Sequence, residues 1–228
     1  AWALFGNKFE KEVEKETGLK AGKDIFDQLR VYAEEQVKRY RVEFIEDLQT
    51  RAAEAGLPLE IDVPRLSSLK GIDGEIDFHE RKTTINGKPL KSIDPRRIIS
   101  ALVKVKRQLY DGPYDPQTFI DELYATYREI LKKVGKKMGN PVPIQTFYFE
   151  HVLAKQSKAF KQDMDKGKFR GYSANQFAVD LWRYFEAGIG GTSGGHLLQV
   201  GPGRNNSLWL IDSDGQRRQI TTLSFQER

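Results

Sequence analysis

The sequence predicts an α+β fold that is predominantly helical, with a helical part over residues 1–140 and a second domain over residues 141–228. Two observations lead to this expectation. Apolar residues recur every three or four positions along most of the chain up to residue 187, which is the spacing of one helix face. The remaining residues form short apolar runs separated by Gly, Asn and Asp, a pattern typical of strands and turns.

Composition limits the classes of protein that remain possible. The 228 residues contain no cysteine, which excludes disulfides, thiolate catalysis and cysteine-ligated zinc. No run approaches the roughly 18 apolar residues of a membrane span, so we expect no membrane partner. The sequence therefore favours a soluble cytoplasmic protein, in the nucleoid, or in the nucleus if the source is eukaryotic.

The positive charge of the chain is concentrated in its middle third. Residues 100–175 contain 14 Lys and Arg against 8 Asp and Glu, whereas the whole chain has a net charge of only +5. A local basic face indicates a polyanionic partner better than total charge does. The alternative is an ordinary solvated surface of lysine-rich helices.

The first long helix is predicted from its apolar stripe. Asp24 is the expected N-cap, and four residues upstream of it are expected to pack: Trp2, Leu4, Phe5 and Phe9. At 1.5 Å per residue the helix would be about 45 Å long. A helix of this length would suit a dimer seam or docking into an assembly, or it would be an ordinary core helix. The stripe comprises Phe26, Leu29, Ala33, Val37, Tyr40, Phe44 and Leu48.

A small β-hairpin or a three-stranded insertion is predicted between helices, over about residues 70–92. Asn86-Gly87 is a strong two-residue hairpin turn, because both residues tolerate a positive φ. Pro89 in the returning strand has no amide proton to donate, so that strand is expected at an edge.

Two further helices start with the same signal. Asp94-Pro95 and Asp115-Pro116 each combine an N-capping aspartate with a proline at the first helical position. The second helix is expected to stop at Gly139-Asn140-Pro141, which is the predicted domain boundary.

The second domain is organised around a capped helix. Ser173 and Gln176 have the spacing of a capping box, and Gly188 is expected to end the helix. Strands are predicted at residues 196–200, 207–212 and 219–225, separated by turn-rich segments. Helix, helix and hairpin follow one another in the order of a winged helix, so a winged-helix-like domain is predicted over residues 141–228.

The function predicted from this order is non-catalytic binding of double-stranded DNA, mainly through its phosphates, by a homodimer or a subunit of a larger assembly. The second helix of a helix-turn-helix enters the major groove with its N-terminal residues leading. Asn and Gln suit adenine edges, whereas Lys and Arg suit phosphate. RNA is an alternative ligand. The predicted contact residues are Lys132, Lys136, Lys158, Lys166, Lys168, Arg170, Tyr172, Ser173, Asn175, Gln176 and Arg204.

Two other functions compete with DNA binding. The winged domain could bind protein, as a scaffold or assembly subunit. A Mg²⁺-dependent nuclease would use Asp73, Glu75 and Asp77 together with Glu80 and Lys82. An alternating charged strand face explains these residues more simply. The three histidines are isolated in sequence, and we expect no catalytic residue, no metal and no cofactor.

Two further segments have competing interpretations. The glycine-rich residues 188–195 lack the Gly-Lys-Ser/Thr ending of a phosphate-binding loop, so a flexible linker is the preferred interpretation. Trp182 and Trp209 could stack on bases, but their places on an apolar helix face and an alternating strand favour core packing.

Overall fold

The structure is a computed structural model that describes the backbone of residues 20–227 and the side chains of residues 27–227. The described part of the chain is 48% helical and 21% strand, which confirms the predicted mixture of helix and sheet. The packing predicted for Trp2, Leu4, Phe5, Phe9 and Phe26 falls outside the described side chains. No helix in the described part is both long enough and apolar enough to cross a membrane.

Contacts divide the chain into two compact units. The first contains the described residues up to Leu66 and the segment Gly74–Val103, and the second contains Ser67–Asp73 and the described residues from Lys104 onward. The predicted boundary at residue 140 falls inside the second unit, because the helices on its two sides pack against each other.

The first helix, α1 (Lys20–Glu54), is longer at its start than predicted. Asp24 lies inside it rather than at its N-cap, so that prediction is wrong. Phe44 and Leu48 of the predicted stripe are buried, whereas Leu29 and Tyr40 are exposed.

A five-stranded sheet replaces the hairpin or three-stranded insertion that the sequence predicted. Its strands are adjacent in chain order: β1 (Glu60–Asp62), β2 (Arg65–Ser67), β3 (Asp73–Asp77), β4 (Lys82–Ile85) and β5 (Lys88–Leu90). Asn86 and Gly87 have φ values of 46° and 75°, so the predicted turn between β4 and β5 is confirmed. Pro89 lies in the edge strand β5, as expected.

The remaining helices are α2 (Pro95–Tyr110), α3 (Pro116–Val134), α4 (Ile144–Ala154), α5 (Lys158–Asp163) and α6 (Ala174–Glu186), with a 3₁₀ turn at Lys166–Lys168. The helices α2, α3 and α6 begin directly after the predicted caps Asp94, Asp115 and Ser173. Asp115 accepts a hydrogen bond from the Thr118 amide at the start of α3, and Gly135 ends that helix with a φ of 65°. Ser173 accepts from the Gln176 amide at the start of α6.

The second sheet is built on its last strand. It contains β6 (Val142–Pro143), β7 (His196–Pro202), β8 (Leu208–Ile211) and β9 (Arg217–Glu227), in the order β6-β9-β7 with β8 also paired to β9. Ile220 lies opposite both Pro202 and Leu208, so β7 and β8 lie on opposite sides of β9. The strand β6 therefore shares the β8 side, because β7 occupies the other side along the same part of β9.

Helix α6 lies at the centre of the second unit. All five residues from Phe177 to Leu181 are buried, which is more than the single apolar stripe predicted for this helix. The Phe177 ring lies within 6.4 Å of the rings of Phe119 and Phe147, on α3 and α4. The helix is thus covered by its neighbours, and this position decides which of its polar groups remain available.

Candidate nucleic-acid interface

Residues 158–170 form an exposed basic segment in the second unit. Its cations are Lys158, Lys161, Lys166, Lys168 and Arg170, all of them exposed. The two carboxylates within the segment are already engaged: Asp163 pairs with Lys168 at 2.5 Å, and Asp165 accepts from the Gly167 amide at 2.8 Å.

Four of these cations remain uncompensated. Lys158, Lys161, Lys166 and Arg170 make no ion pair with any residue of the described part of the chain. With five cations against two carboxylates, the segment keeps an excess of positive charge, and the resulting local positive potential attracts anions.

The basic segment is held in place at both ends. The Gln156 side chain donates to the Arg170 carbonyl at 2.9 Å and accepts from the Arg170 amide at 2.8 Å. Ser157 caps α5, and the buried ring of Phe160 lies 5.4 Å from that of Phe169. The cations are therefore carried on an ordered loop, which lowers the entropy lost when a ligand binds.

The polar groups at the start of α6 have partners within the protein. The Tyr172 hydroxyl donates to Asp180 at 2.6 Å. The Gln176 amide donates to the Leu109 carbonyl and to Asp180, both at 2.9 Å, instead of returning to Ser173. The capping box is therefore only half formed, and these side chains are not directed at bases. Asn175 is half-buried beside them.

Asp180 is the hub of this internal network. Its side chain is nearly buried, and burial raises its pKa, although hydrogen bonds from Tyr172 and Gln176 favour the charged form. Tyr114 donates to the Asp180 carbonyl at 2.6 Å, and the Arg183 guanidinium lies 4.0 Å from the centre of the Tyr114 ring. The only cation of α6 is therefore used inside the unit.

The predicted contacts Lys132 and Lys136 are exposed at the far end of α3. Helices α3 and α4 are antiparallel, since Glu122 pairs with Lys155 at 2.7 Å and Lys133 pairs with Glu150 at 2.7 Å. The basic segment follows the C-terminal end of α4, whereas the C-terminal end of α3 lies away from it. Lys132 and Lys136 are consequently not beside the basic segment.

Between α3 and α4 lies a cleft of about 280 Å³ whose lining includes Glu122, Glu129 and Glu150. His151 borders it and is 1% exposed, with Nδ1 3.2 Å from the Thr126 hydroxyl. Burial lowers the pKa of His151 to about 3, and nearby Lys155 acts in the same direction. The histidine is therefore neutral and has a packing role.

The glycine-rich residues 188–195 are pinned to α3, so the prediction of a flexible linker is wrong. Asp121 accepts from the Ser193 amide at 2.8 Å and from its hydroxyl at 2.5 Å. Gly191 is buried with a φ of 125°, and a Cβ there would come within 2.5 Å of the His196 carbonyl oxygen. Glycine is needed here for close backbone approach.

Two residues at the hairpin of β8 and β9 are on the surface: Arg204, a predicted DNA contact, and Trp209, which was predicted to pack in the core. Arg204 is exposed in the loop before β8. Trp209 is 55% exposed, so its predicted core packing is wrong, whereas Trp182 is half-buried with the Lys70 ammonium 5.7 Å from its ring centre.

The acidic residues considered for a nuclease are mostly engaged with cations or amides. Asp73 pairs with Arg217 at 2.9 Å, and Lys82 pairs with Glu80. Asp77 accepts from the Glu80 amide at 2.8 Å. Within the described residues, no group of three or more His, Cys, Asp or Glu side chains could hold a metal ion.

Sequence reasoning missed the clamp of Gln156 on Arg170 and the contribution of Lys161. The spacing of Lys161 three residues after Lys158 was a usable signal, but the clamp joins residues 14 apart and has no sequence signature.

No family model, curated protein or solved structure matches the chain.

Proposed function

We propose that the second unit binds double-stranded DNA without catalysis, through phosphate contacts made by the basic segment, residues 158–170. The observation that supports this is the set of four exposed cations, Lys158, Lys161, Lys166 and Arg170, that have no ion-pair partner in the described chain. Neutralising phosphates releases condensed counterions, which favours binding by clustered Lys and Arg irrespective of sequence.

The topology of the second unit supports a winged-helix-like domain as the scaffold. The helices α4, α5 and α6 precede the strands β7, β8 and β9, and the short strand β6 pairs with the last strand β9. The contact is assigned to the segment preceding α6 rather than to α6 itself, because Tyr172 and Gln176 are hydrogen-bonded internally. We therefore leave direct base reading out of the proposal.

A salt titration tests the proposal. Four phosphate contacts predict that the logarithm of the association constant falls with the logarithm of salt concentration with a slope of about −3 to −4. Replacing Lys166 and Arg170 by alanine should reduce the slope by about two. A slope near zero, or no change in the double variant, would refute phosphate-led binding.

The ion pair of Lys168 supplies a matched control. Lys166→Ala and Lys168→Ala remove the same charge two residues apart, but only Lys168 is paired, with Asp163. We expect Lys166→Ala to weaken binding clearly more than Lys168→Ala does. Equal losses would mean that total charge, rather than the unpaired cations, determines affinity. Competition between duplex DNA and duplex RNA tests the alternative that RNA is the ligand.

The second candidate function is that of an assembly subunit that forms a homodimer through α1.

 Large apolar side chains are exposed along this helix: Leu29, Val31, Tyr32, Tyr40 and Val42. Such side chains favour a protein contact when they are grouped on one element. Light scattering of the purified chain tests this: a monomeric mass that Tyr40→Glu leaves unchanged would contradict self-association through α1.

A further inference from the structure

A cavity lies within the first unit, between α1, the turn from β3 to β4, and the segment that leads into α2. Its volume is about 420 Å³, which falls in the range of about 300–1,000 Å³ that is typical of small-molecule sites. The lining includes Tyr40, Arg81, Lys91, Ser92 and Asp94. All five residues belong to the first unit, so the cavity is formed within one compact body.

The lining of this cavity carries an excess of positive charge. Arg81 and Lys91 are exposed, and neither makes an ion pair with any described residue. The carboxylate of the lining, Asp94, accepts a hydrogen bond from the Arg96 amide at 2.9 Å and so caps α2. Two unpaired cations therefore stand against one carboxylate that is already engaged, and this excess attracts an anion.

The backbone of the turn does not explain why residue 81 is an arginine. Its φ of 52° lies in the left-handed region, which glycine and asparagine adopt far more readily than arginine. Strained backbone of this kind is concentrated at ligand sites. What Arg81 supplies is a guanidinium in the wall of the cavity, and its planar donors match the oxygens of a phosphate.

The walls of the cavity are ordered by contacts within the unit. The Thr83 hydroxyl donates to the Ser92 carbonyl at 2.9 Å, and the Ser92 hydroxyl accepts from the Asp94 amide at 3.0 Å. On α1, the Tyr40 ring lies 6.3 Å from the buried ring of Phe44 and stays 48% exposed. Tyr40 thus offers an aromatic surface at the cavity, and an ordered site loses little entropy when a ligand binds.

We propose that this cavity binds a nucleoside 5′-monophosphate group, with the phosphate held by Arg81 and Lys91 and the base against the ring of Tyr40. A phosphate accepts two hydrogen bonds from a guanidinium fork and pairs with an ammonium group. A base stacks on an aromatic ring. The inference goes beyond the proposed DNA binding and does not depend on it, because that binding is assigned to the second unit. A free nucleotide and the 5′-phosphate end of a DNA strand share this chemistry.

Isothermal titration calorimetry of the full chain with thymidine 5′-monophosphate, thymidine and inorganic phosphate tests the site. We expect the monophosphate to bind roughly tenfold more tightly than either of its parts, because it alone engages both the cations and the ring. A chain that does not bind the monophosphate, or that binds inorganic phosphate equally well, would overturn the proposal.

Substitutions then locate the binding. Arg81→Gly and Lys91→Ala should each weaken binding of the monophosphate roughly tenfold. Glycine accepts the positive φ at position 81, so Arg81→Gly should unfold in guanidinium at no lower concentration than the native chain. Lys88→Ala is the matched control, because it removes an exposed cation three residues from Lys91 that does not line the cavity. Native affinity in both Arg81→Gly and Lys91→Ala, or equal losses in Lys88→Ala and Lys91→Ala, would overturn the site.

A strand of about six thymidines, with and without a 5′-phosphate, separates the two sources of the ligand. Any binding of the strand to the basic segment is common to both forms, so only the gain from the 5′-phosphate reports on the cavity. A gain that Arg81→Gly abolishes assigns the site to a strand end. No gain, together with binding of the monophosphate that Arg81→Gly weakens, assigns it to a free nucleotide. A gain that survives in Arg81→Gly would contradict the proposal.

Discussion

Acid should destabilise the second unit through His151. The imidazole is 1% exposed, surrounded by the rings of Phe147, Phe177 and Tyr172, and the pKa is lowered to about 3. Thr126 donates to the Glu122 carbonyl at 3.0 Å, so its oxygen accepts from Nδ1–H and Nε2 carries no proton. In the described structure Nε2 has no hydrogen-bond partner.

The direction of the effect follows from the proton balance. The pKa in the folded protein lies below the ordinary value of 6.5, so the unfolded chain binds a proton that the folded chain does not. Stability is full above about pH 6.5 and is lost as the pH falls towards 3. The titration of His151 alone should lower the free energy of unfolding by about 2 kcal/mol at pH 5 and about 3 kcal/mol at pH 4, relative to neutral pH.

Guanidinium unfolding of the native chain and of His151→Leu, each at pH 7 and pH 5, measures this cost. The variant should lose about 2 kcal/mol less than the native chain on acidification. His79→Leu is the control, because His79 is exposed. Contributions from other groups, including the raised pKa of Asp180, cancel in the comparison. Parallel pH profiles for the native chain and His151→Leu would refute the reasoning.

Three other substitutions test the scaffold of the second unit. Ser173→Ala removes the side-chain cap of α6 and should lower the free energy of unfolding by about 1 kcal/mol in denaturant titration. Gly191→Ala should lower the free energy of unfolding by at least about 2 kcal/mol, because of the positive φ and the nearby carbonyl. Gly190→Ala is the control and should have a far smaller effect, because open space surrounds that position. Similar losses in the two variants would contradict the close approach at Gly191. Asp121→Ala should speed amide exchange at Ser193, and unchanged exchange would show that the loop is held by other contacts.

The local signals in the sequence predicted the ends of most elements. Ser173 caps α6, Asp115 caps α3, and Asn86-Gly87 turns between two strands, as their residue types indicated. These features depend on hydrogen bonds and φ angles within a few residues, so the sequence pattern contains nearly all the relevant physics. Asp24 shows the limit, because an available cap does not oblige a helix to begin there.

The candidate site was predicted in part. The basic residues around Lys166 and Arg170 were recognisable from composition, and both are exposed. Which polar groups remain free was not predictable. Gln176 donates to Leu109, 67 residues away, and Asp121 binds Ser193, 72 residues away. Propensity and spacing say nothing about such partners.

By itself the sequence determined the mixture of helix and sheet, the caps, the turns and the basic character of residues 158–170. The tertiary structure alone decided that α6 is enclosed, that Trp209 is exposed, and that the glycine-rich loop is pinned. The physical reason is that caps and turns are satisfied by neighbours in the chain. Burial and hydrogen-bond partnership, in contrast, depend on which distant segments pack together.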